Sequence, residues 1–188
     1  MILVSNRLFS SIKELPLINQ RESQKVLNLI QRTERERGFN TEDKFQEVVE
    51  KFQNLGIINF RKSEHGSPED HLWDFLVVIK KIYFFSPLSN KQSKNKTITV
   101  CIQLKSSETG VLKFWEEIVK KEREWIPVLK ISPEKTFKEI EKGFCLLIRK
   151  VLDVYWKKNK TSPPVVFVDE KGVRLVKIKK EERKWVVV

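Results

Sequence analysis

The chain has 188 residues, of which 40% are hydrophobic, and a formal net charge of +12 at pH 7. That length fits one compact domain, expected to span residues 1–188, and is short for two domains of ordinary size. An excess of Lys and Arg attracts polyanions, so nucleic acid is the leading class of partner. No apolar run approaches the roughly 20 residues of a membrane-spanning helix, and we expect a cytoplasmic protein.

The first third of the chain predicts two helices. Asn19 and Glu22 have the spacing of a capping box and predict an accessory N-terminal helix that ends at Gly38. A second helix should cover about residues 40–55, because apolar residues recur there every three or four positions. That apolar stripe should be its contact with the core.

Three strands should follow the second helix. Residues 56–61 predict a short strand, and residues 73–79 form a continuous apolar run of the kind found in strands covered on both faces. Residues 98–105 alternate between apolar and polar, which places Gln103 and Lys105 together on one face. The middle strand of the three should therefore be central in the sheet.

The second half predicts a helix, a strand, a long helix and a hairpin. Residues 111–119 have the pattern of an amphipathic crossover helix, and residues 125–131 predict a strand at a sheet edge or with a bulge, because Pro127 lacks a donor. A long helix should begin at Pro133 with a buried stripe from Phe137 to Val154. Residues 165–168 and 173–178 predict a C-terminal β-hairpin. The order of elements predicts an α/β fold with a mixed sheet flanked by helices.

Asp74 opens the most hydrophobic run of the chain, where an unpaired carboxylate is unfavourable by several kcal/mol. The following strand offers the Gln103 amide oxygen, the Leu104 carbonyl and the Lys105 ammonium. Mg²⁺ prefers carboxylate and carbonyl oxygens, and an ammonium beside the attacking water would offset charge developing on a phosphate. These residues predict a site for Mg²⁺, with Mn²⁺ as a substitute, that hydrolyses phosphodiesters.

Two segments carry a family resemblance. Asp74-Phe-Leu-Val-Val-Ile and Ile102-Gln-Leu-Lys-Ser-Ser resemble the PD-(D/E)XK superfamily of restriction-endonuclease-like and Holliday-junction-resolvase-like nucleases, over a core of about residues 40–131. The resemblance implies a restriction-endonuclease-like fold and hydrolysis of nucleic acid, DNA foremost. It puts Asp74 and Lys105 in the places of the family's strand aspartate and lysine. The family has Asp or Glu where this chain has Gln103, so the metal shell loses one negative charge, and Trp73 replaces the family's proline.

The resemblance also implies an acidic residue on the preceding helix. At about 100° per residue, Glu42 lies on the flank of the apolar stripe and Glu47 toward solvent, so Glu42 is the first choice and Glu47 the second. Asp70 is a further candidate for the metal or a metal-bound water. The predicted catalytic residues are Glu42, Asp74, Gln103 and Lys105, and the predicted metal ligands are Asp74, Gln103, Leu104 and Glu42.

Lysines accumulate between Asp74 and Glu108, a stretch that contains no acidic residue. A flexible basic segment with neighbouring aromatic residues can grip a nucleic-acid backbone and stack bases. The predicted nucleic-acid-binding residues are Lys80, Lys81, Lys91, Lys94 and Lys96, with Tyr83, Phe84 and Phe85 for stacking.

The sequence leaves alternative functions open. Gln103 is compatible with a catalytically weak or inactive nucleic-acid-binding protein that keeps a nuclease fold. The basic surface also suits a protein that binds an acidic protein partner. Many members of the superfamily act as dimers, so a homodimer is a further expectation that no motif in this chain decides.

Overall fold

A computed structural model of the chain describes residues 28–29, 40–85, 96–157, 162–178 and 185–187. The contacts between Cα atoms divide the chain into two compact units, Met1–Arg37 and Gly38–Val188. Asn28 and Leu29 are helical, but the rest of the expected accessory helix lies outside the described residues. So do Lys91 and Lys94.

The second unit contains a seven-stranded sheet whose strand order follows the chain. The first three strands form an antiparallel meander, the third to fifth are parallel, and the last three are antiparallel. The predicted mixed sheet and C-terminal hairpin are confirmed, and a further short strand was not predicted. The strands are β1 (Ile58–Lys62), β2 (Phe75–Ile79), β3 (Ile98–Lys105), β4 (Val128–Ile131), β5 (Val165–Asp169), β6 (Gly172–Ile178) and β7 (Trp185–Val187).

Helices precede and connect these strands. None of those in the described ranges is both long and apolar enough to cross a membrane. The predicted helix at residues 40–55 is confirmed, and the predicted crossover helix continues into a π-helix. The helices are α1 (40–54), α2 (Ile82–Phe85), α3 (Glu108–Phe114) with the π-helix Trp115–Lys120, and α4 (Phe137–Lys157).

The long helix α4 begins four residues later than its proline predicted. Thr136 and Glu139 form a capping box, in which the Glu139 carboxylate accepts the Thr136 N–H at 3.0 Å and Thr136 Oγ1 accepts the Glu139 N–H at 3.4 Å. Phe137, expected in the buried stripe, is 47% exposed. The helix therefore starts where its first free N–H groups find side-chain acceptors.

The expectation that residues 125–131 form an edge strand was wrong. β4 lies between β3 and β5, and its pairing with β3 begins at Gln103 opposite Val128. Pro127 precedes the strand, and its carbonyl accepts the Gln103 N–H at 3.0 Å. Pro127, which lacks an N–H donor, thus lies just before the first residue pair of β3 and β4, a position at which an interior strand tolerates proline.

Apolar clusters cover both faces of the sheet. Phe45 of α1 and Phe144 of α4 pack on the face that carries Ile102, whereas Phe114 of α3 packs on the face that carries Val128. Gln103 and Lys105 share the second face, since they pair with Val128 and Lys130. The fold is therefore α/β, with a mixed sheet flanked by helices.

Candidate active site

Asp74 occupies the point where the chain enters β2. Its N–H donates to the Ile102 carbonyl at 3.0 Å, and its carbonyl accepts the Ser63 N–H at 2.9 Å. Both neighbours of β2 therefore hold the Asp74 backbone. The residue is 7% exposed, so its carboxylate has lost nearly all of its hydration.

The Asp74 carboxylate is held by uncharged donors. Its Oδ2 accepts the Gln103 side-chain amide at 2.6 Å and the Leu104 backbone N–H at 2.5 Å. In the described part of the chain, no Lys or Arg nitrogen lies within the 4.0 Å of an ion pair with it. Nothing in direct contact therefore neutralises its charge.

Burial raises the pKa of Asp74 to about 7. The charge of Lys105 and the Leu104 N–H oppose this effect of desolvation, while the charges of Glu42 and Asp70 add to it. The carboxyl group is therefore about half ionised at neutral pH. A bound cation would favour the ionised form.

Gln103 has a buried amide that is only half satisfied. The residue is 2% exposed, its nitrogen donates to Asp74, and its Oε1 has no hydrogen-bond partner among the described residues. A buried polar atom without a partner is unfavourable by about 1–3 kcal/mol. Gln103 Oε1 is therefore an acceptor available to a cation or a water beside Asp74.

Lys105 lies two residues further along β3 and is half buried. Its Nζ is 5.3 Å from the centre of the Phe114 ring, and a Cβ added to Gly110 would meet its Cδ at 3.4 Å. The first turn of α3 thus packs against the Lys105 stem. The lysine is close enough for its charge to lower the pKa of Asp74.

The other predicted acids are placed around Asp74 without joining it. Glu42 is half buried at the start of α1 and forms an ion pair with Lys62 at 3.1 Å, whereas Glu47 is exposed. Asp70 accepts hydrogen bonds from Ser63 Oγ at 3.1 Å and from the Gly66 N–H at 3.0 Å. No three Asp, Glu, His or Cys side chains among the described residues are grouped to hold a metal.

The oxygen atoms next to Asp74 nevertheless suit a hard cation. They are its own carboxylate, the Gln103 Oε1 without a partner and the Leu104 carbonyl, which lies 3.5 Å from the Gln103 nitrogen. Mg²⁺ in proteins is commonly held by one or two carboxylates and keeps several waters. The residues present therefore fit Mg²⁺ or Mn²⁺, with one carboxylate where the family resemblance implies two or three.

The described lysines of the predicted nucleic-acid segment lie at the far end of the sheet. Ile79 pairs with Ile98 at that end, while Phe75 pairs with Ile102 beside the site. Lys80 is six residues from Asp74, or roughly 20 Å along an extended strand. Lys81 donates to the Leu55 carbonyl at the end of α1 at 3.1 Å, and Lys96 lies over the Trp156 ring. Phe85 is a core residue.

A second buried aspartate was not predicted. Asp169, at the end of β5, is 4% exposed and lies 2.6 Å from Arg174 and 3.7 Å from Lys130. Lys130 also donates to Ser132 Oγ at 2.8 Å. We call Lys130, Asp169 and Arg174 the buried ion cluster. The signal in the sequence was an aspartate that ends an apolar run, as Asp74 begins one.

Comparisons of the chain with family models, with curated proteins and with solved structures gave no match.

Proposed function

We propose that this protein is a metal-dependent nuclease that hydrolyses phosphodiester bonds in nucleic acid, DNA foremost. Asp74, Gln103 and the Leu104 carbonyl would hold Mg²⁺ or Mn²⁺, and Lys105 would position water. The proposal includes a restriction-endonuclease-like core of about residues 40–131, in line with the resemblance of the Asp74 and Gln103-Leu104-Lys105 segments to the PD-(D/E)XK superfamily.

One observation carries the proposal: the Asp74 carboxylate is buried near Lys105, and the two side chains do not form an ion pair with each other. Asp74 is 7% exposed, receives uncharged hydrogen bonds alone from the described residues and has its pKa raised to about 7. Strongly perturbed carboxyl groups are typical of functional sites. The amide oxygen of Gln103 is buried beside Asp74 and has no partner in the described ranges, which supports a ligand at the same point.

The residues divide the work by charge. Asp74, Gln103 and the Leu104 carbonyl would hold a hard cation, which would supply neutralisation of charge on the phosphate and a lowered pKa of water. Asp74 and Gln103 would fix the position of the cation, because short hydrogen bonds hold both side chains between β2 and β3. Lys105 offsets negative charge that develops on the phosphate as water attacks and the sugar oxygen leaves. Glu42, through its pair with Lys62, keeps a further acid near the site.

Cleavage assays on single-stranded, duplex and branched DNA and on RNA test the proposal. We expect cleavage in Mg²⁺ or Mn²⁺ and none in EDTA. Asp74→Asn and Lys105→Met should each reduce the rate by about 10²-fold or more, the usual size of a lost electrostatic or acid–base contribution.

Matched controls are Asp153→Asn and Lys113→Met, on the helices α4 and α3, where both residues are at least partly exposed. These variants should keep the wild-type rate. Cleavage that persists undiminished in Asp74→Asn, or none with any substrate and metal, would overturn the proposal.

A nucleic-acid-binding protein without catalysis is the second candidate, and Gln103 favours it, because the described residues hold no three-acid group. Titration calorimetry separates the two. A nuclease site should bind Mn²⁺ in the wild type and lose that binding in Asp74→Asn. A pure binding protein should show affinity for nucleic acid that depends on salt and is indifferent to that substitution.

A further inference from the structure

A cleft of about 1360 Å³ opens beside β3. One wall is formed by residues 97–101 and another by the chain around residues 123–127, and the π-helix and the second half of α4 also contribute to the lining. Its volume exceeds the roughly 300–1000 Å³ of small-molecule sites. We call it the aromatic cleft, after four residues of its lining, Trp73, Trp115, Trp125 and Tyr155.

The cleft lies where the sheet divides. Residues 98–102 of β3 pair with β2 on one edge, but β4 pairs with β3 only from Gln103 to Lys105. Among the strands that the structure describes, none pairs with the other edge of residues 98–102. The two halves of the sheet therefore separate along this stretch, and the gap is continuous with the cleft.

One end of the cleft is lined by residues that neighbour the candidate active site along the chain. Leu72 and Trp73 belong to its lining and directly precede Asp74. On the opposite strand, Cys101 lines the cleft two residues before Gln103. A polymer that occupies the cleft would therefore pass close to the Asp74 carboxylate.

The lining suits bases better than it suits a duplex backbone. Tyr155 is 52% exposed and Trp125 is 38% exposed, and Lys120 lies 6.0 Å from the centre of the Trp115 ring. Lys120 and Arg123 are balanced by Glu116 and Glu124 in the lining. Aromatic rings bind bases whose faces are uncovered, as in a single strand. Stacking is therefore the main attraction that this cleft offers.

Two unusual backbone features border the cleft. Arg123 has a φ of 56°, in the left-handed region that non-glycine residues seldom adopt. The π-helix Trp115–Lys120 supplies Trp115 and Lys120 to the lining. Sparsely populated backbone conformations and π-helical turns are concentrated at functional sites. They point to this wall as a binding surface independently of its aromatic content.

We propose that the aromatic cleft binds single-stranded nucleic acid by base stacking and leads its backbone to Asp74. This inference rests on the proposed nuclease function for its second half, delivery to Asp74. Its first half, binding in the cleft, concerns residues that lie outside the Asp74, Gln103 and Lys105 set.

The test measures binding without cleavage, by fluorescence anisotropy in EDTA with full-length Asp74→Asn protein. The probes are an oligo(dT) of about 12 nucleotides, within the site sizes of single-strand binders, and a duplex of the same length. We expect tighter binding of oligo(dT). Adding Tyr155→Ala or Trp125→Ala should weaken it about fivefold or more, the equivalent of at least about 1 kcal/mol per stacked base, and leave duplex affinity unchanged.

Phe137→Ala is the matched control, because Phe137 is 47% exposed and Tyr155 52%, and Phe137 begins α4 outside the lining of the cleft. It should leave oligo(dT) affinity unchanged. Lys120→Gln should reduce the slope of log affinity against log salt by about 0.7, one phosphate contact on a single strand. A purely structural role for Lys120 would not change that slope.

Equal loss of oligo(dT) affinity in Phe137→Ala and Tyr155→Ala would overturn the inference, and so would a loss of duplex affinity in Tyr155→Ala equal to its loss of oligo(dT) affinity. A third outcome would also overturn the inference. If an extended peptide binds to the cleft and does not displace oligo(dT), the open edge of β3 would be assigned to β-strand addition instead. The two proposals fail separately. Binding in the cleft without metal-dependent cleavage removes the nuclease alone, and cleavage that is insensitive to cleft substitutions removes the cleft alone.

Discussion

Two buried aspartates, Asp74 and Asp169, stand at opposite halves of one sheet with different surroundings. Asp169 lies within 4.0 Å of two cations, Arg174 and Lys130. Asp74 is buried to a similar degree, but within the described part of the chain its carboxylate is held by amide groups and forms no ion pair. The fold therefore balances one charge internally and leaves the other to be balanced by something that binds. This difference separates a structural carboxylate from a candidate ligand.

The same substitution at both positions gives the largest expected contrast. Asp169→Asn should lower the free energy of unfolding by about 3–5 kcal/mol, because it leaves Lys130 and Arg174 buried without their counter-charge. Asp74→Asn should cause no loss at pH 8, since it removes a charge that burial disfavours. Urea unfolding measures both values, with Asp153→Asn on α4 as the exposed control. Equal losses at both sites would erase the distinction between the two aspartates.

The pH dependence of stability sharpens the comparison. The folded pKa of Asp74 is about 7, above its ordinary value of 3.8, so the folded state holds the proton more tightly than the unfolded state. The resulting stabilisation is full below pH 4 and is lost as the pH rises through 7, by about 3 kcal/mol between pH 5 and 8. Wild type minus Asp74→Asn stability, measured at both pH values, should show this fall. A flat difference would contradict the burial of an ionisable group at position 74.

Metal should act on one aspartate alone. At 100 times its dissociation constant, Mg²⁺ or Mn²⁺ should raise the stability of the folded state by about 2.7 kcal/mol. The increase should be larger at pH 8 than at pH 5, because ionised Asp74 is the ligand. Thermal unfolding measures it, and Asp74→Asn should abolish it. Stabilisation that survives in Asp74→Asn would locate the ion elsewhere.

Gln103→Glu is the subtlest test. A second carboxylate beside Asp74 should tighten Mn²⁺ binding at pH 8 by about tenfold, or about 1.4 kcal/mol. Without metal it should destabilise the fold, because two carboxylates would lie 2.6 Å apart where the amide now donates. Calorimetry and metal-free unfolding measure the two effects. Gln103→Leu, which supplies no oxygen, is the control and should weaken metal binding.

The sequence predicted the strands and helices well, because periodicity is a local property. It also predicted that Asp74 and Gln103 would meet, since antiparallel pairing brings the start of β2 beside the end of β3. The surroundings of the helical acid were harder to predict. Glu42 forms an ion pair with Lys62, and the angular position of a residue on a helix does not reveal such a pair. The buried ion cluster was missed because β4, β5 and β6 each contribute one member, at separations that no motif spans.

The lysine segment illustrates a different limit. Lys80 and Lys96 are near Asp74 and Gln103 in the sequence, but antiparallel pairing places Ile79 and Ile98 at the end remote from the site. Residues that are only a few positions from the site in the sequence therefore lie at the opposite end of the β2–β3 pair. The aromatic cleft, in contrast, gathers residues from β3, the π-helix and α4, and could be recognised only in three dimensions.

The position of Pro127 has a consequence for the pairing of β3 with β4. In a parallel ladder the next donor toward the Cys101 carbonyl would be the N–H of residue 127, which proline lacks. Any other residue at position 127 could donate this hydrogen bond and extend the pairing of the two strands. The pyrrolidine ring of Pro127 therefore limits how far β3 and β4 can pair, and it keeps the cleft open on the side of the sheet next to Asp74.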